Sequence, residues 1–540
     1  IYVMKNIKTY LLAGVTALTL SSCNDFLSTL PKDAMSPSTT WKTRQDAEKF
    51  IVGCYDGWES GAALLYWDAG SDFAYNNFPW EGFRAIGNGS FSPTDPGWSF
   101  YDFTIIRRCN EFLLNVDKVP FSDKAVKKDL VAQVKAIRAY EYFTLGRLYG
   151  GVPIISNFNS AAEAQVPRNT IEEVKAQIFK DLNEAIADID AKPAARGRIA
   201  KGAALAIKMR ASLYWGDYKT AKEAAQAIID LGQYGLDSDY SNLFTVAGQG
   251  SKEIILAVQY IIGTKKLDTI GQLYNNGDGG WSSVVPTQNC VDNYEMSNGL
   301  TIDEAGSGYD AKHPFHNRDP RMAMTIIYPG ADWNGQVVNT LDKKVNGKSN
   351  VNDPNGADNA SKTALTWRKY LGPKSQYANI WDTNCCPIVF RYAEILLTWA
   401  EAENELNGPS AEVYAKIDLI RKRAGMPGVD QSKYNTQEKL RQLIRRERSA
   451  EFAGEGLRRA DIVRWTENGK MIAERVLNGE LTRITGTIDY SATDPTLRAV
   501  VNGKEKIEDR VFKPYNKLFP IPQSWTSTNP KLTQNPGYGN

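Results

Sequence analysis

The densest run of groups able to do acid–base chemistry lies between Glu447 and Arg464, where Glu447, Arg448, Glu451, Arg458, Asp461 and Arg464 alternate in sign. Two carboxyls flanking a cleft are what glycoside hydrolysis needs, one of them with a raised pKa so that it can donate a proton. Interleaved arginines do the opposite, because they pair with carboxylates and depress their pKa. The run therefore reads as a structural ion network and lends no support to catalysis. The two histidines, His313 and His316, flank Pro314 and cannot share a regular helical face, and no further metal ligands can be placed beside them. A Gly-x-Ser-x-Gly elbow and a phosphate-cradling loop are absent, as is any cofactor motif. The expectation is a chain with no catalytic, metal or cofactor site.

The elements that would position these groups begin with a leader. Lys5 and Lys8 precede an apolar run from Tyr10 to Leu20, and Leu20-Ser21-Ser22-Cys23 follows. The run is too short to span a bilayer and has the flanks of a cleavable secretory signal. Residues 1–22 are expected to be removed, leaving Cys23 as an acylated first residue, because the small residues before it resemble a lipobox. Several acyl chains anchor a protein durably, where one does so only marginally. Removing the two leader lysines from the 64 basic residues leaves 62, equal to the 62 acidic ones, so the exported part is formally neutral and nucleic acid is excluded as a partner. Five cysteines remain after Cys23, too few for a disulfide framework in so long a chain, and they are expected to be buried thiols.

Helical periodicity dominates elsewhere. A helix is predicted from Val131 to Tyr149, stopped by Gly150-Gly151-Val152-Pro153, and another after Thr170, with Glu173 completing a capping box. Within 203–231, Ala211, Tyr214, Gly216-Asp217-Tyr218, Ala221 and Ala225 reproduce the spacing of a tetratricopeptide hairpin. Tyr392, Ile395, Trp399, Ala402 and Leu406 mark the apolar face of a further helix, with Glu394, Glu401 and Glu405 expected to turn away from it, and Ala411 to Arg423 supplies its partner. Between about 245 and 386 the texture changes to Gly, Asn, Asp, Pro and Trp. The prediction is an all-α, tetratricopeptide-like helical hairpin scaffold over about 23–240 and 387–540, with a long loop-rich insertion over about 245–386 and little β structure.

Glu447-Arg448, Glu451-Phe452, Glu455-Gly456, Arg458, Asp461 and Arg464-Trp465 together resemble the signature of the SusD/RagB family. The likeness continues at Phe519-Pro520-Ile521-Pro522, at 529–538, at Lys135-Ala136-Ile137-Arg138-Ala139-Tyr140 and at Tyr149-Gly150-Gly151-Val152-Pro153. It spans nearly the whole mature chain. The resemblance implies a lipid-anchored protein at the outer-membrane surface that captures nutrient, oligosaccharide above all, for a SusC-like TonB-dependent transporter.

Sugars are held by stacking their C–H faces on aromatic rings while polar side chains meet the hydroxyls. Candidate ligand residues are therefore Tyr66, Trp67, Asp72, Asn76, Trp80 and Arg84 in the first loop, and Tyr274, Trp281 and Trp333 in the insertion. Trp80 and Trp281 lead, because they lie among Gly, Asn and Pro, where no helical stripe claims them. Trp215, Trp399 and Trp465 are assigned to the scaffold. A peptide binder on the same scaffold would favour a deeper charged groove, a surface glycoside hydrolase would release new reducing ends, and a structural adaptor would bind no small ligand.

Overall fold

Capping and breaking residues set the principal helices of the computed structural model, which describes residues 41–158 and 160–539. The leader and Cys23 lie outside the described residues. The first helices are α1 (Arg44–Tyr55), α2 (Thr104–Asn115) and α3 (Lys124–Tyr149). Asp123 caps α3 by accepting from the Ala125 N–H, and Gly150, at φ 74°, ends it where the sequence predicts. In α4 (Ile171–Asp188) the Thr170 hydroxyl and the Glu173 carboxylate cap each other's backbone N–H, as expected.

The hairpin α5 (Lys201–Tyr214) and α6 (Tyr218–Asp230) turns at Gly216, whose φ of 78° suits a residue without Cβ, and Asp217 caps the second helix. Ala203, Ala206 and Ala211 on one helix and Ala221, Ala224 and Ala225 on the other are buried, and these small residues let the helices approach closely. Helix α6 packs in turn on α7 (Tyr392–Asn407), which pairs with α8 (Ala411–Arg423), and α9 (Gln437–Phe452) and α10 (Arg458–Arg464) close the scaffold. The fold is the tetratricopeptide-like arrangement of helical hairpins predicted above. Among the described residues no helix is long and apolar enough to cross a membrane, and the five cysteines are buried free thiols.

Two short antiparallel pairings position the irregular segments. Strand β1 (Ala74–Asn76) lies in the first loop, β2 (Ile254–Ala257) and β3 (Val284–Pro286) in the insertion, and β4 (Ile388–Arg391) just before α7. Pairing of β2 with β4 makes the insertion leave and rejoin the scaffold at one place, and pairing of β1 with β3 ties the first loop to the insertion. The longest β element, the hairpin β5 (Gly479–Ile488) and β6 (Ala499–Arg510), was not anticipated from sequence. Two register shifts break its alternation, and Arg483 occupies one of its buried positions through an ion pair with Glu505.

The expectation that Glu394, Glu401 and Glu405 turn to solvent is corrected by the structure. Glu394 and Glu401 are buried and Glu405 is half-buried, paired with Arg210, Arg464 and Arg441 respectively. Neighbouring hairpins cover that side of α7, so it has two buried faces, and the carboxylates are tolerated there because arginines meet them. Leu406, placed on the apolar face by periodicity, is instead exposed at the end of the helix.

The signature charges form the expected ion network. Arg391 donates to Glu253, Glu451 and Glu455 at 2.6–2.8 Å. Arg321 reaches Asp319, Glu447 and Glu451, while Arg421 joins Glu447 to Glu295. Burial alone would push the Glu451 carboxyl up, but Arg423, Arg391 and Arg321 override it and hold it well below the ordinary range. Glu401 behaves likewise: Arg464 outweighs its burial and, with Arg448 and the Trp465 indole, holds it at about 2.

Two outcomes are expected. Replacing Glu451 by Gln leaves buried guanidinium charge uncompensated and should cost about 3–5 kcal/mol in chemical denaturation. Because Glu401 is depressed in the folded state, its contribution is present above its ordinary value of 4.5 and lost as pH falls toward about 2. The stability difference between the native chain and Glu401→Gln, measured by calorimetry, should therefore be full above pH 4.5 and shrink below it. A difference constant down to pH 2 would contradict this assignment.

Candidate functional site

The β1–β3 ribbon has Asn76 opposite Val284, and one step further the Asn77 N–H donates to the Ser283 carbonyl at 2.8 Å. Beyond that bond the strands part, one continuing to Trp80 and the other having just left Trp281. Two tryptophans separated by two hundred residues of chain thus leave the same end of one ribbon. Trp80 is 78% exposed and rests on Phe78, with ring centroids 4.9 Å apart and planes at 28°. Trp281 is 43% exposed and leans on Trp381 at 4.6 Å. Ser282, immediately after Trp281, is fully buried at φ 48°, a conformation a side chain other than glycine adopts only when its surroundings enforce it.

Other candidate residues support this corner from beneath. Tyr66 is buried, its hydroxyl donates to Gln272 Oε1 at 2.8 Å with Glu81 Oε1 3.2 Å away, and burial pushes its pKa up. Asn76 is buried, donates to Glu81 and to the Ser283 carbonyl, and accepts from the Arg84 N–H. Burial raises the Glu81 carboxyl pKa, opposed by the hydrogen bond from Asn76. Tyr274 is fully buried and donates to the Gly372 carbonyl, and its own carbonyl accepts from the Ser282 N–H.

Further from the corner, Trp67 is buried and stacks on Phe100 at 4.5 Å, with the Arg147 guanidinium 5.0 Å from its ring. Asp72 is buried in a two-pronged pair with Arg458, both bonds 2.9 Å. Arg84 is half-buried, paired with Glu508 and lying over Tyr75. Trp333 is buried and donates from Nε1 to Asp278, three residues before Trp281. Trp381 was missed by sequence reasoning, since nothing local links it to Trp281.

The histidines serve separate contacts, His313 with the Ala499 carbonyl and His316 with the Thr496 hydroxyl. Among the described residues no cluster of His, Cys, Asp and Glu could hold a metal ion.

A helical-hairpin frame that carries irregular loops, with two exposed tryptophans at one end of a short ribbon, defines the class of scaffold. Residues 252–538, more than half of the chain, match the model of the SusD family, and residues 96–213 match one described as starch-binding and associating with the outer membrane. The chain belongs to the SusD family. It is 25% identical to SusD-like protein P25 of Formosa agariphila over 96% of each chain. It is 26% identical to the starch-binding protein SusD of Bacteroides thetaiotaomicron, covering 75% of this chain and 72% of that one. The crystal structure of a SusD-like carbohydrate-binding protein from Bacteroides fragilis superposes with a TM-score of 0.79 at 26% identity, over 91% of this chain and 99% of that one.

The different burial of the tryptophans gives an expected outcome. Trp67→Ala should destabilise by about 3–5 kcal/mol, as large core truncations do. Trp80→Ala should change stability by less than about 0.5 kcal/mol, as exposed substitutions do. Equal losses in a denaturant titration would show that Trp80 is not a surface residue.

Proposed function

We propose that this protein is a non-catalytic glycan-binding lipoprotein of the outer-membrane surface, which captures oligosaccharide and hands it to a SusC-like TonB-dependent transporter. The observation that carries the reading is the aromatic corner: Trp80 and Trp281 exposed at one end of the β1–β3 ribbon, backed by Phe78 and Trp381. Rings held this way lose little freedom when a sugar face covers them, so the stacking energy is retained in binding. The names of the relatives support the same ligand class, two of them being starch-binding and carbohydrate-binding proteins. The signature carboxylates, held low by arginines, are poor general acids, which supports binding without hydrolysis. Cys23 as the acylated residue supplies the anchor in this reading.

Affinity electrophoresis of the chain from Asn24 onward, through gels containing individual polysaccharides, tests the ligand. Retardation by at least one glycan is expected, lost in Trp281→Ala and weakened in Trp80→Ala with unchanged melting temperature. A protein that migrates unretarded in every gel would remove glycan as the ligand. For the anchor, Cys23→Ser should abolish incorporation of a labelled fatty acid and release the protein from the membrane fraction. Undiminished labelling would place the acyl chain elsewhere.

A further inference from the structure

A shallow depression of about 780 Å³ is lined by Asp332, Trp333, Asn334, Arg368, Lys374 and Tyr377. The loop that carries Trp281 borders this depression. Lys374 Nζ lies 4.0 Å from where a Cβ on Gly279 would stand, and Gly279 is two residues before Trp281. Asn334 accepts from the Lys374 N–H at 3.0 Å and donates to Asp278 at 2.9 Å, tying the depression to the loop that carries the tryptophan.

The charges here are unevenly committed. Asp278 accepts from Trp333 Nε1, Asn334 Nδ2 and Asn275 Nδ2, all between 2.7 and 2.9 Å. Asp332 accepts from Arg498 at 2.6 Å. The two acids are thus engaged within the chain. Among the described residues neither Arg368 nor Lys374 has a carboxylate within 4.0 Å. The Arg368 guanidinium gives one bond, to the Ala323 carbonyl, and lies 5.7 Å from the Trp333 ring. Both cations are exposed. The depression thus presents two exposed cations with no carboxylate partner, while its acids are already occupied.

Building on the glycan reading above, the geometry points to an anion subsite: Arg368 and Lys374 receive a negatively charged substituent of the glycan whose neighbouring ring stacks on Trp281. The guanidinium fork matches the paired oxygens of a carboxylate or a sulfate, and the ammonium supplies a second charge-assisted bond. The substrate class is therefore an acidic oligosaccharide, bearing uronic-acid carboxylates or sulfate esters. Exposed charges are screened by salt, so this part of the affinity weakens with ionic strength while ring stacking does not.

A printed array of neutral, uronic-acid-containing and sulfated oligosaccharides, probed with the native chain, Trp281→Ala and the double variant Arg368→Ala/Lys374→Ala, tests this. The native chain is expected to retain anionic glycans best, and its signal should fall as salt rises. The double variant should lose about tenfold in affinity for them, as the loss of one or two charge-assisted bonds predicts, while any neutral glycan is bound as before. The carboxylated and sulfated members of the array separate the two substituents. Preference of the native chain for neutral glycans, or unchanged binding of anionic ones by the double variant, overturns the subsite and leaves the aromatic corner standing. Failure of the native chain to bind any member removes the glycan reading and the subsite together. Since both substituted side chains are exposed, an unchanged melting temperature is expected and separates lost binding from lost folding.

Discussion

The buried contact of Arg391 with Glu253, Glu451 and Glu455 is the constraint on which the rest of the structure depends. It joins three separate stretches of chain: the residue before β2, the strand β4, and the end of α9 with the turn that follows it. Arg321 and Lys369 bring the insertion to the same carboxylates, and Arg423 brings the end of α8. Taking these groups out of water is costly, and the cost is offset only when every partner is in place. A structure with one segment displaced would leave a buried charge alone. The network therefore acts less as a source of net stability than as a penalty on every arrangement but one.

That selectivity reaches the aromatic corner through two arginines. Arg458, on α10, clamps Asp72 at the start of the first loop, and Arg510, at the end of β6, donates to the carbonyls of Ser71 and Ala74. Strand β1 is thereby fixed to the scaffold before it pairs with β3. The insertion is fixed independently by the pairing of β2 with β4 and by Arg321. Trp80 and Trp281 leave the same end of one ribbon because both their segments are anchored to the same charged core. Neither loop has a regular element long enough to hold its own tryptophan.

The division of labour suits a protein that keeps a family fold while its sequence diverges. Identity to the relatives is only about a quarter, yet the superposition covers nine-tenths of the chain. Charged clamps tolerate little substitution, because each removal strands its partner, whereas exposed rings such as Trp80 can change at little cost to folding. Exposed surface and scaffold are thus free to diverge at different rates.

What the sequence determined by itself is what depends on near neighbours along the chain. Helix ends at Thr170 and Gly150, the close hairpin at Gly216, and the family signature from Glu447 to Trp465 were legible because a cap, a turn or a motif is written within a few residues. Trp80 and Trp281 stood out for the related reason that no helical stripe surrounds them. Tertiary structure alone decided which charges meet. Periodicity placed Glu401 toward solvent, and only the approach of Arg464 from sixty residues away made its burial tolerable. It also decided that Trp67 is core, that Trp381 stands behind Trp281, and that residues 479–510 form a bulged hairpin. These are contacts between distant segments, whose formation rests on the cost of leaving buried charge or apolar surface unmatched, and no short stretch of sequence records that cost.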